Sequence, residues 1–512
     1  MTDNSNPEAA WTYHEATKHS YASLRSNPHF LDWGNQPLPF KIYPRLEVLG
    51  LPGEVRPTGV AALSAIAEGI SAETNVAPDL GALAQLLYLS AGITRHRRYS
   101  GREIHFRAAA CTGALYEVEL YVVCGDIANL TAGIYHFAPD EFGLRRLRAG
   151  DYRGVLVEAT AGDHAIVHAP VVIACTCIYW RNAWKYQART YRHFGWDNGT
   201  VLANLLAVAT ALGLPAKVVC GFVDAEVNRL LDFDPQREVA FSLVALGRAS
   251  ALPPRCPDAV PPLGLETVPL SRREVDYPLM REMHAASSLH SAEEVVTWRS
   301  QTQIAKLQPP TGPVIQLRPL PDAEMPRDTI EQVILRRGST RRFAQASISL
   351  AQLSTMLDRA TRGVPADFLD PPGSQLNQLY LVVHAVESLE PGTYVYYRDR
   401  GLLECLKEGN FRSQAGYLGL EQELPADAAV AVFFLSDLRA ILQSLGNRGY
   451  RAVQLEAGIL GGKMYLAAYA QRLGATGLTF YDDEVTRFFA PHAGGKSAIF
   501  LVAVGKSAKP GS

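Results

Sequence analysis

What this chain lacks narrows it first. No apolar run reaches the length of a membrane span, and the N-terminal Met1-Thr2-Asp3-Asn4-Ser5-Asn6 lacks the basic-then-apolar order of a secretion signal. A cytoplasmic protein is expected. Seven cysteines, an odd number without paired CxxC spacing, exclude a disulfide framework and a zinc ribbon. Cys175 and Cys177 fall on one face of an expected buried strand and read as small hydrophobes. Neither sign of charge is in excess: 49 Lys plus Arg face 51 Asp plus Glu, so neither nucleic acid nor an anionic membrane is implied as a partner. No Gly-x-Gly-x-x-Gly dinucleotide fingerprint occurs.

Against that neutral background one stretch is locally basic. Leu335-Arg336-Arg337-Gly338-Ser339-Thr340-Arg341-Arg342-Phe343 sets four arginines and two hydroxyls about one glycine, directly after a capped helix expected from Asp328 to Leu335. Guanidinium forks and hydroxyl donors suit phosphate oxygens, and a solvated basic turn is the alternative.

The chain also repeats itself. Tyr121 returns as Tyr380, Tyr135 as Tyr394, Tyr191-Arg192 as Tyr450-Arg451 and Gly199 as Gly458, each at a spacing of 259 residues. A duplicated domain folded as a pseudo-dimer within one chain is expected, with related but inequivalent sites between the halves. The division reads as a wrapping arm over 1–57, a first copy over 58–252, a Pro-rich linker with a short helix near 291–306 over 253–326, and a second copy over 327–508. Prolines at 28, 37, 39 and 44 suggest an extended arm, with His14, Glu15 and His19 as hydrogen-bonded anchors.

These residues resemble a known family. Arg337 to Phe343 looks like the opening motif of FMN-dependent nitroreductases, and Arg107 to Tyr121 is similar to the PSAGALYPLELY run of the SagB-type dehydrogenase branch, which includes azoline oxidases. The resemblance implies a layered α+β sandwich, duplicated here, with FMN at the interface of its halves. It implies that Arg337, Ser339 and Thr340 meet the phosphate, that Arg341 meets the N1/O2 edge, and that Lys506 is a second phosphate ligand. Cys111, Thr112, Gly113 and Ala114 of the other copy would back the ring. A backbone N–H in Leu478-Thr479-Phe480 would face N5, although the glycine usual in that turn is missing; the first copy keeps it in Cys220-Gly221-Phe222, where Cys220 reads as a buried strand-end residue.

The copies are unequally equipped. Ala67 to Glu73 stands opposite Arg337 to Phe343 without an arginine, and the second copy reads Pro371-Pro372-Gly373-Ser374 where the first has Cys111 to Ala114. One FMN per chain is expected, with the pseudo-symmetric site degenerate through loss of phosphate ligands.

For proton transfer the candidates are Lys185 and Tyr186, similar to the Lys-Tyr pair of azoline dehydrogenases; the second copy has Gly446-Asn447-Arg448-Gly449-Tyr450-Arg451 there, with no Lys-Tyr pair. A continuous helix would align Arg181, Lys185 and Arg189 on one face, where Asp197 could answer their charge. Structural roles for Lys185 and Tyr186 are the alternative. Glu117 and Glu119 read as the exposed face of a strand, and Asp482, Asp483 and Glu484 as a helix N-terminus. The expected activity is an FMN-dependent dehydrogenase acting on an azoline-like small molecule or peptide. An NAD(P)H-dependent nitro or quinone reductase and a non-catalytic partner in a peptide-modifying complex are the alternatives.

Overall fold

A computed structural model describes residues 3–26, 28–99, 102–301, 309–369 and 374–508. Among the described residues nine strands belong to the first half: β1 (Val48–Gly50), β2 (Ile93–Tyr99), β3 (Arg102–Arg107), β4 (Val118–Cys124), β5 (Gly133–Ala138), β6 (Gly143–Ala149), β7 (Val171–Ile178), β8 (Ala216–Val219) and β9 (Glu238–Leu246). Seven form an antiparallel sheet of order β1-β6-β5-β4-β7-β9-β8, while β2 and β3 pair as a hairpin apart from it. The second half adds β10 (Val314–Gln316), β11 (Gln378–Val383), β12 (Gly392–Tyr397), β13 (Leu402–Glu408), β14 (Val430–Ser436), β15 (Gly474–Leu478) and β16 (Ser497–Gly505). Their order, β10-β13-β12-β11-β14-β16-β15, is the same topology strand for strand. The protein is a duplicated α+β domain.

Every residue of β4, β7, β9, β14 and β16 is buried, as in a sheet covered on both faces. Cys175, Cys177 and Cys220 are buried free thiols, as expected. Glu117 and Glu119 correct the expectation of an exposed face, being 0% and 1% exposed. Glu119 lies opposite Thr176 of β7 and accepts from Arg181 Nη1 at 2.5 Å, with His136 Nε2 at 2.8 Å. Burial opposes its charge, but Arg181 and His136 prevail and hold its carboxyl at about 2.

Two long helices, Thr190–Ala211 and Arg448–Ala470, are buried on nearly all sides and pack against each other. Buried arginines at their starts are shared between the copies. Arg189 and Arg192 donate to Asp482 at 3.0 and 2.6 Å, while Arg448 and Arg451 donate to Asp224 at 2.6 and 2.7 Å. Each carboxylate heads a helix of the opposite copy, Asp482–Phe488 or Asp224–Leu231.

The arm is not uniformly extended. Helix Glu8–Ala16 starts after Pro7, a residue tolerated at a helix start, and the other prolines lie beyond it. His14 and His19 anchor it as expected: His14 Nδ1 lies 3.2 Å from Tyr450 Oη, and His19 N donates to Asp482 at 2.8 Å. The expected linker holds helix Ala292–Ser300 and a second helix, Pro278–Ala286. That second helix repeats the arm. Its His284 Nδ1 lies 3.3 Å from Tyr191 Oη, and its His284 O accepts from Arg451, as His14 O accepts from Arg192.

His284 follows His14 by 270 residues, and helix Leu350–Thr361 follows Leu80–Ala91 by the same 270. The spacing falls to 259 only past the β2–β3 hairpin, so that hairpin is extra chain in the first copy.

Candidate functional site

The expected helix before the basic stretch is Ile330–Arg336, with a reciprocal capping box between Thr329 and Gln332. At its end Arg337 reaches into the first copy, where its Nε donates to Ala108 O at 2.9 Å and its Nη2 to Arg107 O at 3.2 Å. Ser339 Oγ stands 3.4 Å from Tyr465 Oη. Thr340 is buried; its N–H donates to Ala475 O at 2.9 Å and its hydroxyl lies 3.2 Å from Ser507 Oγ. Lys506 is exposed at the end of β16, and its carbonyl accepts from Ala344 N at 2.9 Å.

Facing this stretch, the loop Cys111 to Tyr116 holds three residues in the left-handed region: Gly113 (φ 64°), Ala114 (φ 54°) and Tyr116 (φ 54°). Asp197 of the long helix ties the loop down, accepting from Thr112 N at 2.8 Å and Thr112 Oγ1 at 2.9 Å, with Cys111 Sγ at 3.3 Å. Glycine suits position 113, where φ is positive and a Cβ would stand 2.9 Å from Tyr186 Oη. The loop of the first copy therefore meets Tyr186 directly. The second copy's residues 370–373, which include most of its expected counterpart, lie outside the described residues.

Lys185 and Tyr186 end helix Tyr179–Tyr186, and Gln187 turns the chain at φ 50° before a new helical turn. This break overturns the single cationic face. Arg181 serves Glu119 and Arg189 serves Asp482, so Asp197 is free to hold the loop instead. Lys185, half buried, has its ammonium pushed down by burial and then by the Arg341 guanidinium of the second copy. Tyr186 is pushed up by burial and by Asp197, Cys111 and Glu117, with Arg341 opposing. Burial and Glu117 raise Asp197, and burial with both carboxylates raises the Cys111 thiol, which stays protonated.

Arg341, Lys185, Arg95 and Lys506 make no ion pair among the described residues. Arg95 was missed in the sequence. It lies on β2, with Nη1 3.7 Å from where a Cβ on Gly338 would stand, and its charge acts on Arg337. Its signal was the continuous basic run Arg95-His96-Arg97-Arg98. His193 was also missed: its ring packs 4.5 Å from that of Tyr186. Unpaired cations beside Ser339 fit an anionic group such as the phosphate of a flavin nucleotide.

At the expected N5 turn, Leu478 closes β15, Thr479 Oγ1 lies 3.3 Å from His19 Nδ1, and Phe480 is buried with Arg189 over its ring at 5.5 Å. The first-copy turn is different. Cys220 N and Gly221 N both donate to the Asp367 carboxylate, at 2.8 and 2.7 Å. A cavity of about 640 Å³ lies on that side, lined by Glu68, Gly69, Asp367 and Lys463. Volume alone favours that side for a ligand, whereas unpaired donor chemistry favours Arg337 to Arg341. For a phosphate the donors decide, because a buried doubly charged group needs counter-charges more than space.

The nitroreductase family profile matches residues 105–248 and 334–506. A crystallised protein of Anabaena variabilis assigned as a nitroreductase superposes with a TM-score of 0.77 over 98% of this chain and 99% of its own, at 26% identity. A Methanocaldococcus jannaschii protein, also assigned as a nitroreductase, is 27% identical over 166 residues, 32% of this chain and 79% of that protein. The microcin B17-processing protein McbC of Escherichia coli is 29% identical over 133 residues, 25% of this chain and 48% of McbC, so this match spans about half of that relative. With the same strand order twice and the family profile matched twice, the chain belongs to the nitroreductase family and carries its domain in tandem.

Proposed function

We propose that this protein is an FMN-dependent dehydrogenase of the SagB type, oxidising an azoline-like heterocycle carried by a small molecule or a peptide. The observation that carries the reading is the junction of Lys185, Tyr186 and the Gly113 loop from the first copy with Arg341 from the second. Arg337, Ser339, Arg341 and Lys506 would hold one FMN, with Arg95 adding charge. When bound, FMN supplies a two-electron acceptor for hydride.

The chain's own part is the proton. Oxidising an azoline to an azole releases a hydride from one carbon and a proton from its neighbour. Lys185 takes that proton, because burial and Arg341 enlarge its neutral fraction near neutral pH. Tyr186 is held as a phenol by its buried, acidic surroundings, so it positions substrate by donating a hydrogen bond. Asp197 keeps the loop in its left-handed form, which leaves room for Tyr186 over Gly113. The match to McbC, whose name describes the processing of microcin B17, supports a substrate carried on a larger molecule of that kind.

The absorbance spectrum and the mass of the released cofactor test the first half of this reading. A yellow protein with one FMN per chain is expected, and a colourless protein that refuses added FMN would overturn it. Anaerobic mixing with NADPH tests the second half: prompt bleaching would make the protein a reductase, and an unbleached flavin that turns over an azoline peptide supports the dehydrogenase.

A further inference from the structure

The 640 Å³ cavity lies across the pseudo-dyad from the arginine stretch. Its wall includes Glu68 and Gly69, from the run that stands opposite Arg337 to Phe343 in the repeat. Leu206 and Thr210 line it where the other side has Tyr465 and Tyr469, each 259 residues on, and these smaller side chains help leave the space open.

Among the described residues every lysine and arginine of the wall but one is ion-paired, and the exposed Glu68 carboxylate at the rim has no ion pair. Arg248 pairs with Glu73 at 3.0 Å, Arg362 with Asp358 at 2.8 Å, and Lys217 and Arg299 both with Asp163 at 2.9 and 3.2 Å. Asp367 spends both oxygens on Cys220 N and Gly221 N. Lys463 is different. It is 4% exposed, has no ion pair among the described residues, and there donates one hydrogen bond, to Gly363 O at 2.6 Å. Burial alone pushes its ammonium down to about 8, with no charged neighbour contributing. The repeat counterpart of Lys463 is Asn204, a neutral amide that donates to Leu89 O at 2.9 Å.

Among the described residues this buried lysine has two of its three hydrogens unspent and no counter-ion, in a cavity walled by Ile66, Leu206 and Leu214, so it is half of an ion pair that a ligand can complete. The candidates are a flavin, a phosphate ester and a carboxylate. Asp367 occupies the two N–H groups of the turn that faces a flavin in the family pattern, and every arginine fork of the wall is already engaged by a carboxylate. One compact ammonium with two free donors suits a carboxylate.

We infer that this cavity is a second ligand site, for an organic carboxylate with an apolar or aromatic body, and that Lys463 is its counter-ion. The inference is independent of the proposed dehydrogenase reading, because it concerns the other side of the pseudo-dyad.

The probe is 2-naphthoate, titrated calorimetrically onto the full chain with and without added FMN. One site per chain is expected, with affinity lowered at least tenfold by Lys463→Met and by Lys463→Asn, the residue found at 204. Lys463→Arg and Arg341→Ala should leave the affinity within about threefold. Binding that survives both neutral variants, or that FMN displaces, or that Arg341→Ala abolishes, overturns the inference. Melting curves of the variants confirm that a lost signal is not lost fold: removing a buried, unpaired lysine should leave the midpoint unchanged or raise it.

Discussion

Gly199 and Gly458 occupy equivalent positions in the two copies, and they touch: a Cβ on Gly199 would stand 2.5 Å from Cα of Gly458. Equivalent residues meet only near a two-fold axis, so this contact marks the pseudo-dyad of the chain. Ala61 and Thr329, which precede the equivalent helices Ala62–Ala67 and Ile330–Arg336, bridge each other antiparallel near the same axis.

Gly458→Ala should therefore destabilise, although alanine is the better helix former by about 1 kcal/mol. Its Cβ would meet Gly195 O and Trp196 O at 2.6 Å, which are backbone atoms that cannot rotate away. Overpacking of roughly 1–3 kcal/mol should win, and chemical denaturation measures it. A variant more stable than the parent would show that the helices can move apart freely.

Asp482→Asn leaves Arg189 and Arg192 buried without their carboxylate, and Asp224→Asn does the same to Arg448 and Arg451. Each should cost about 3–5 kcal/mol, the range for breaking a buried pair from one side. Similar losses in the two variants are expected from the repeat. A loss below about 1 kcal/mol in either would mean that the arginines find other partners.

Glu119 gives a pH dependence with a definite sign. Its carboxyl is held at about 2 against an ordinary 4.5, so its stabilisation is present above pH 4.5 and is lost as pH falls toward about 2. The melting-temperature advantage of the parent over Glu119→Gln should shrink across that interval. A constant advantage from pH 6 to pH 2.5 would contradict the pairing with Arg181.

Arg341 pushes the Lys185 ammonium down, so a neutral Lys185 base should produce a rising limb in the rate against pH. Arg341→Ala removes the positive charge and should shift that limb to higher pH, with FMN affinity lowered at least tenfold by loss of a charge-assisted contact. Lys185→Ala should abolish the limb, and Tyr186→Phe should keep it. A limb that stays in place in Arg341→Ala would sever the link between the copies.

Asp367→Gly frees Cys220 N and Gly221 N but restores no arginine in Ala67 to Glu73. The FMN content should stay at one per chain. Two equivalents would show that the carboxylate, and not the missing arginines, closes the second site.

Some of the site was legible because it is local. The capping box at Thr329, the glycine at 113 and the adjacent Lys185-Tyr186 are short-range patterns whose chemistry needs no partner to be read. Glu117 and Glu119 misled because alternation on a strand is the same whether the second face meets water or protein. The partner of Arg189 was misread because one left-handed residue, Gln187, ended the helix and turned the next arginine toward Asp482.

By itself the sequence determined the duplication, the order of elements and the unequal equipment of the copies, since these depend on residue identity at fixed spacing. The tertiary structure decided what crosses between copies: Arg337 onto the Arg107 and Ala108 carbonyls, Asp367 onto Cys220 and Gly221, and the His284 helix as a second arm. Contacts between residues more than 100 positions apart are set by how two buried helices pack at Gly199 and Gly458, and no local pattern encodes that packing.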